Sequence, residues 1–273
     1  MALIDKLTNI ADAIRGKTGG TDPLTLDAMA EAIAGIEAGS GGGGGELDAL
    51  FDKTITELAT NATTIPKYAF ENCTQLTTAN CPSVTSIGQN AFYGCSALIT
   101  ANCPSVTDIG NSAFQKCEKL SSVDFPQATS IGTSQFNSCF ALKTVHLPRI
   151  TALPQREFQN CWKLQKADFT LLTSIGAYAF YDCRRLTALI IRSDTLCAMT
   201  ATTAINNWYH FTGADKPENP DGLKDGYVYV PRALVSSYQT ATNWSTLGAD
   251  RFRALEDYTI DGTITGALDP SKV

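Results

Sequence analysis

Phenylalanine returns every 22 residues along the middle of this chain, at positions 70, 92, 114, 136, 158 and 180. Cysteine keeps the same beat at 73, 95, 117, 139, 161 and 183, and leucine at 76, 98, 120, 142, 164 and 186. A fixed period of this size dictates a stack of similar units, each burying its apolar face only against its neighbours. The expected fold is therefore a repeat solenoid over residues 47–192. Within it, two extended pieces per repeat should form short parallel strands. One is the stretch represented by Leu120, Val123, Phe125 and Pro126, the other the stretch Thr129 to Gly132. The Ala-Phe-x-x-Cys segment between them reads as a turn or a short helix. Gly88, Gly110, Gly132 and Gly176 share a corner with Pro66 and Pro154, which suggests a turn needing either a permissive or a fixed backbone. Stacked strands should lie about 4.8 Å apart per rung.

The cysteine count could point to disulfides or a metal site, but the spacing points elsewhere. Six of the nine cysteines fall one per repeat beside the Phe and Leu. Cys81 and Cys103 fill a second position that other repeats give to Phe125, Leu147, Phe169 and Ile191. A slot that accepts Cys, Phe, Leu or Ile wants a buried apolar group, and a free Cys serves as a small hydrophobe. No Cys-x-x-Cys pair occurs, which argues against zinc. Parallel side chains in a ladder also suit disulfide bridging poorly. Reduced core thiols are expected, with no metal and no cofactor.

Charge constrains the partners. The formal net charge is −6. Residues 1–46 carry 3 basic and 7 acidic side chains, residues 47–192 carry 12 and 10, and residues 193–273 carry 6 and 10. A near-neutral array between acidic ends offers no overall electrostatic footprint for nucleic acid. No apolar run is long enough to insert into a membrane. The first twenty residues read as an amphipathic helix and not as a secretory signal.

The repeat resembles the BspA-like leucine-rich repeat, whose hallmark is I-G-x-x-A-F-x-x-C-x-x-L-x-x-V-x-x-P, clearest here in SIGQNAFYGCSALITANCPSVT from Ser86 to Thr107. That resemblance implies surface recognition and adhesion, and no enzyme chemistry. Departures occur at Gln135 and Glu157, in place of the Ala before Phe, and at Thr170, in place of Pro. They are expected to open the third corner locally. Residues 1–38, LIDKLTNIADAIRGKTGGTDPLTLDAMAEAIAGI at their heart, resemble an N-terminal module of phage and prophage tail-associated proteins. Together the two resemblances imply a virion-borne recognition protein contacting a host surface protein or glycan. The alternative is an adhesin on a bacterial cell surface.

The flanks divide accordingly. Residues 1–38 read as two short amphipathic helices, a docking or oligomerisation module through which virion structural proteins or further copies of the chain would attach. Residues 39–46 form a Gly-rich tether. Residues 47–64 read as the solenoid's N-terminal cap. Beyond Arg192 the period fails, and 193–273 reads as a C-terminal cap. In it Tyr227 to Val230 alternates like a strand, and a helix should run through Leu234, Val235 and Tyr238. Tyr258 to Val273 is expected to be loosely held.

Catalysis is hard to assemble. The chain has two histidines. His146, in a variable slot between Val145 and Leu147, should face solvent, and His210 lies in an aromatic loop with no nucleophile attached to it by motif. Binding has better candidates, in the slots that change while the core slots stay fixed. After each Phe come Glu71, Tyr93, Gln115, Asn137, Gln159 and Tyr181, and after each Cys come Thr74, Ser96, Glu118, Phe140, Trp162 and Arg184. Large aromatics stand there where water is expected. Aromatics and Arg anchor interfaces, so Tyr93, Phe140, Trp162, Tyr181 and Arg184 are candidate ligand contacts. Trp208, Tyr209, His210 and Phe211 form a second candidate, either a binding loop or a cover over the last rung.

Overall fold

The computed structural model describes residues 55–205, 226–260 and 264–265. The helical module, the tether, residues 47–54 of the N-terminal cap and the Trp208–Phe211 loop lie outside the described residues.

Each rung has three sides. On the first, the residues after the rung leucine alternate between solvent and core, as in Ser122–Asp124, where only Val123 is buried. That period-two pattern makes a strand, and like strands stack in parallel. Glu57–Ala59, Thr78–Asn80 and Thr100–Asn102 form a three-stranded sheet. Ser122–Asp124, Thr144–His146, Lys166–Phe169 and Ala188–Ile191 begin a six-stranded one. Strands lacking the terminal Pro are longer. Thr170 and Arg192 replace it, and there the Arg192 N–H donates to the Phe169 carbonyl at 2.9 Å, a bond that proline cannot make. The replacement therefore extends the strand and does not open the corner.

The second side carries the two-residue strands. Thr64–Ile65, Ser86–Ile87, Asp108–Ile109 and Ser130–Ile131 pair in parallel, and Ala152–Leu153, Ser174–Ile175 and Ala198–Met199 form a separate parallel set. The glycine at this corner is needed for close approach. A Cβ on Gly88 would stand 2.4 Å from the Lys67 backbone nitrogen. The Gly N–H also donates to the rung before it, as from Gly132 to Ile109 O and from Gly176 to Leu153 O, each at 2.8 Å. Pro154 can offer neither the room nor the N–H, and the ladder breaks at that rung, between Ile131 and Ala152.

The third side is a run of turns, not a helix. Alternate backbone N–H groups reach the next rung: Tyr68, Phe70 and Asn72 donate to the carbonyls of Gln89, Ala91 and Tyr93. The residues two before and two after the Phe sit in the left-handed region, as at Asn90 (φ 56°), Gly94 (φ 71°), Asn160 (φ 62°) and Asp182 (φ 57°). Asn, Asp and Gly tolerate that region best, and they fill the position two after Phe in four of the six repeats, with Lys116 (φ 61°) and Ser138 (φ 63°) in the other two.

Inside, the rung phenylalanines stack face to face. Phe70, Phe92, Phe114, Phe136, Phe158 and Phe180 follow one another with ring centroids 5.3, 5.2, 5.8, 5.6 and 5.4 Å apart. Such pairs contribute about 0.5–1.5 kcal/mol each beyond the area they bury. Phe125 and Phe169 lean against this column. The cysteines are free and buried, all nine of them. The Sγ of Cys95, Cys117, Cys139, Cys161 and Cys183 donates at 3.0–3.2 Å to the carbonyl of the Phe one rung earlier. That carbonyl already accepts the N–H of its own rung's Cys, as from Cys117 to Phe114 at 3.2 Å. Burial is the first cause that pushes the thiols of Cys117, Cys139, Cys161 and Cys183 well above their usual range.

Gln135 and Glu157 depart from expectation in a second way. Both are fully buried at the third side, so the corner stays closed. The Gln135 amide satisfies itself: its Oε1 accepts the Ala113 N–H and its Nε2 donates to the Ile109 carbonyl. Among the described residues no group meets hydrogen-bond geometry with the Glu157 oxygens, and the Gln135 backbone amide is near enough only for a weak interaction. Burial pushes this carboxyl far above the usual carboxylate range, and the Gln135 backbone amide pulls it down by less. Burial thus favours the protonated form of Glu157 in the folded chain.

The stack continues past the point where the period fails. Ala198–Met199 extends the second side, and Ile205, 2% exposed at the end of the short 3-10 turn Thr202–Ile205, follows Phe180 in the core. Tyr227–Val230 and Phe252–Ala254 add two more parallel strands to the six-stranded sheet. The helix Val235–Thr240 forms where the alternation stops after Pro231. Its buried Tyr238 packs edge-on against Trp244, and both close the core end by bonding Cys197: the Tyr238 hydroxyl accepts its N–H at 2.9 Å and the Trp244 indole donates to its carbonyl at 2.7 Å. Of the stretch expected to be loosely held, residues 261–263 and 266–273 lie outside the described residues, and Tyr258 is packed. It stands edge-on to Tyr229, 5.1 Å between centroids, over a small outer cluster of Ala188, Ile190 and Tyr229.

Two outcomes test this packing. Phe136→Ala should cost about 3–5 kcal/mol in urea unfolding, because a large ring leaves a column that cannot collapse around the gap. Glu157→Gln should stabilise the chain. The raised folded pKa of Glu157 gives stability that is complete below the unfolded value and is lost as pH rises. The variant's advantage should therefore grow as pH rises above the usual carboxylate range, by up to about 1.4 kcal/mol per pH unit, in denaturation series at stepped pH.

Candidate recognition surface

The rungs place each variable slot directly over its counterpart, so outward side chains form rows. The row after the cysteine is the most structured. Phe140 and Trp162, one rung apart, stack at 4.1 Å with 18° between their planes. The Arg184 guanidinium, one rung further, lies 4.5 Å from the Trp162 centroid. Phe140 and Arg184 thus cover opposite faces of Trp162, which leaves the ring edges outward, with 36% of the residue exposed. Asp182 sets the geometry. Its left-handed backbone turns the carboxylate back along the row, where it accepts two bonds from Arg184 and one from the Trp162 indole, all at 3.0 Å. Cation–aromatic stacking and a bidentate carboxylate together fix a side chain that would otherwise sample many rotamers.

The other candidates are dispersed. Tyr93 stands two rungs before Phe140's, half-buried, with the Lys116 ammonium 5.1 Å from its centroid. Tyr181 is half-buried and edge-on to Tyr178 at 5.7 Å, while Arg156 lies 5.8 Å from the Tyr178 ring. Of the slots after Phe, Asn137 is buried and not solvent-facing: its amide bonds Gln159 on the next rung, and its Oδ1 accepts the Ser138 hydroxyl. The structure thus brings together Phe140, Trp162 and Arg184, and leaves Tyr93 apart. Trp208, Tyr209, His210 and Phe211 lie outside the described residues. Sequence reasoning missed Asp182, which orders the stack. Its signal was an Asp at the left-handed position two after Phe, directly upstream of the Cys-Arg pair.

On the sheet side His146 faces solvent, as its slot implied, and its Nδ1 lies 2.8 Å from Asp124 Oδ1. Arg192 binds Asp168 in bidentate fashion at 2.8 and 2.9 Å, a bond that raises the guanidinium pKa. Lys166 adds a contact to Asp168 at 3.6 Å. These pairs are mutually satisfied at the surface. Among the described residues no group of three or more His, Cys, Asp and Glu side chains is placed to hold a metal ion, and no helix is long and apolar enough to cross a membrane.

Several solved structures are similar. A leucine rich cell surface protein of Faecalibacterium prausnitzii is 34% identical over 52% of this chain and 38% of its own, with a TM-score of 0.43. A leucine-rich repeat protein of Bacteroides ovatus is 23% identical over 66% of this chain and 56% of its own, with a TM-score of 0.43. The leucine-rich repeat protein of T. pallidum is 26% identical over 48% of this chain and 72% of its own, with a TM-score of 0.39. The chain thus spans well under half the length of the F. prausnitzii protein. No curated protein matches. The family of the BspA type leucine rich repeat region matches in six copies, over residues 52–165 and 85–201, more than half of the sequence together. With that match, and with the stacked parallel strands that each repeat builds, the chain belongs to the BspA-type leucine-rich repeat family.

Proposed function

We propose that this chain is a non-enzymatic recognition protein that adheres through the outer rows of its solenoid, displayed at a bacterial cell surface. The observation that carries the reading is the Phe140–Trp162–Arg184 row. It places two large aromatics and a guanidinium at the surface in a fixed geometry, held by Asp182. A surface that has already lost its rotamer freedom binds at a smaller entropic cost. Aromatic and Arg side chains are also the ones that dominate interface energies. Family membership supports the same reading, since the repeat's resemblance implies surface adhesion. The stack restricts the manner of contact. Both faces of Trp162 are covered, so a partner meets ring edges and the guanidinium rim.

A second reading rests on residues 1–38. Their resemblance to a phage tail-associated module favours a virion that carries the same solenoid towards a host surface protein or glycan. On that reading residues 1–38 dock onto virion structural proteins or join copies of the chain, and several weak sites on one particle would act together. Gene neighbourhood separates the two: tail and baseplate genes support the virion, and genes for surface export and anchoring support the adhesin.

For the site, binding of the full chain to a glycan array and to immobilised surface proteins is the direct measurement. Trp162→Ala should weaken the leading interaction by about 1–3 kcal/mol while leaving thermal unfolding nearly unchanged, because the side chain lies outside the core. Unchanged binding by Trp162→Ala would remove the row from the site and leave Trp208→Ala as the next variant to compare.

A further inference from the structure

The array is near neutral in total, but its charges are segregated. Around the turn that joins the rung cysteine to the rung leucine, the third to sixth rungs carry Lys116, Lys119, Lys143, Lys163, Arg184 and Arg185. The acidic residues in those same turns are Glu118 and Asp182, and Asp182 is already bound by Arg184. Lys119, Lys143 and Lys163 are exposed and form no ion pair among the described residues. Backbone bonds fix the row: Lys143 donates to the Ser121 carbonyl at 2.9 Å and accepts from Gln165 at 3.4 Å. Lys119 and Lys163 occupy the same slot two rungs apart, about 10 Å at strand spacing, with the small Ala141 between them. The slot of Phe140, Trp162 and Arg184 lies one residue before that of Lys119, Ala141 and Lys163, and Trp162 directly precedes Lys163.

Like charges held this close repel one another, and a linear polyanion relieves that repulsion while releasing its own counterions. The neighbouring aromatic edges add apolar contact that charge alone does not use. Single-stranded nucleic acid would need open aromatic faces for its bases, and those of Trp162 are covered. An acidic peptide brings charge without apolar ring surface. We infer that this strip binds a linear acidic polysaccharide, with its carboxylate or sulfate groups on the lysines and its rings along the edges of Phe140 and Trp162. The inference rests on the recognition reading above and names the ligand class for that same surface.

The test measures binding of the full chain to heparin, which is sulfated, and to hyaluronate, which is carboxylated, beside poly-L-glutamate and single-stranded DNA of matched charge. At least one polysaccharide should bind at about 50 mM salt and weaken at least tenfold by about 200 mM. Lys119→Glu with Lys163→Glu should weaken that binding by about tenfold or more, while Arg149→Glu, at the corner after the strand, should change it less than about twofold. Absence of polysaccharide binding at low salt would overturn the inference. So would equal losses in Arg149→Glu, or binding of poly-L-glutamate or DNA as tight as that of the polysaccharides. Cell adhesion lost in Trp162→Ala but kept in the double lysine variant would overturn the polysaccharide assignment and leave surface recognition standing. Adhesion kept in both would remove the surface reading itself.

Discussion

The carbonyl of each rung phenylalanine is the joint on which the solenoid depends. It is buried, and from Phe70 to Phe158 it accepts two hydrogen bonds: the N–H of the cysteine in its own turn and the thiol of the cysteine one rung on. An Ala at the cysteine position would fill less space and leave the carbonyl with one partner. A Ser would bring a stronger donor with less apolar volume. Cys meets both demands, since it packs as a hydrophobe and still offers a weak S–H donor. This explains why Cys and Phe keep one period. They are two ends of one contact between rungs, repeated beside a column of stacked rings.

That joint also governs the surface. Because backbone bonds on the three sides lock most rungs to their neighbours, outward slots fall into rows with little freedom to adjust. A side chain in a row is then judged by its neighbours one rung either way. Phe140, Trp162 and Arg184 attract, and they stack. Lys119 and Lys163 repel, and only the small Ala141 stands between them. The rigid stack thus turns a repeat sequence into a fixed pattern of charge and aromatic edge, which is what a recognition protein needs and what its core residues cannot specify.

Much of the architecture was legible from the 22-residue period alone. The period implied a stack, the alternation after leucine implied strands, and the interchange of Cys103 with Phe125 implied a buried slot. Three features were not legible, each for a physical reason. The corner glycine was read as a backbone preference, but the neighbouring rung sets it, through contacts absent from a single repeat. Gln135 and Glu157 were read as openings because polar residues seldom enter a core, yet the solenoid buries both, and only Gln135 finds partners. Of the last strands, Tyr227–Val230 was legible in its alternation, but Phe252–Ala254 was hidden because its rung no longer keeps the period, although Val228 and Phe252 still pair in register. The surface was legible in part. Aromatic outliers marked the row, but Asp182 acts through backbone geometry, and summed charge concealed the lysine strip.

The account stands on inward-facing thiols that never form bridges and never reach solvent. Labelling with a thiol-specific reagent tests this most directly. In the native chain none of the nine cysteines should react faster than the protein unfolds, since all are buried and free. In denaturant without reductant all nine should react. Rapid labelling of Cys95, Cys117, Cys139 or Cys161 in the native chain, or fewer than nine reactive thiols after unfolding, would contradict the ladder.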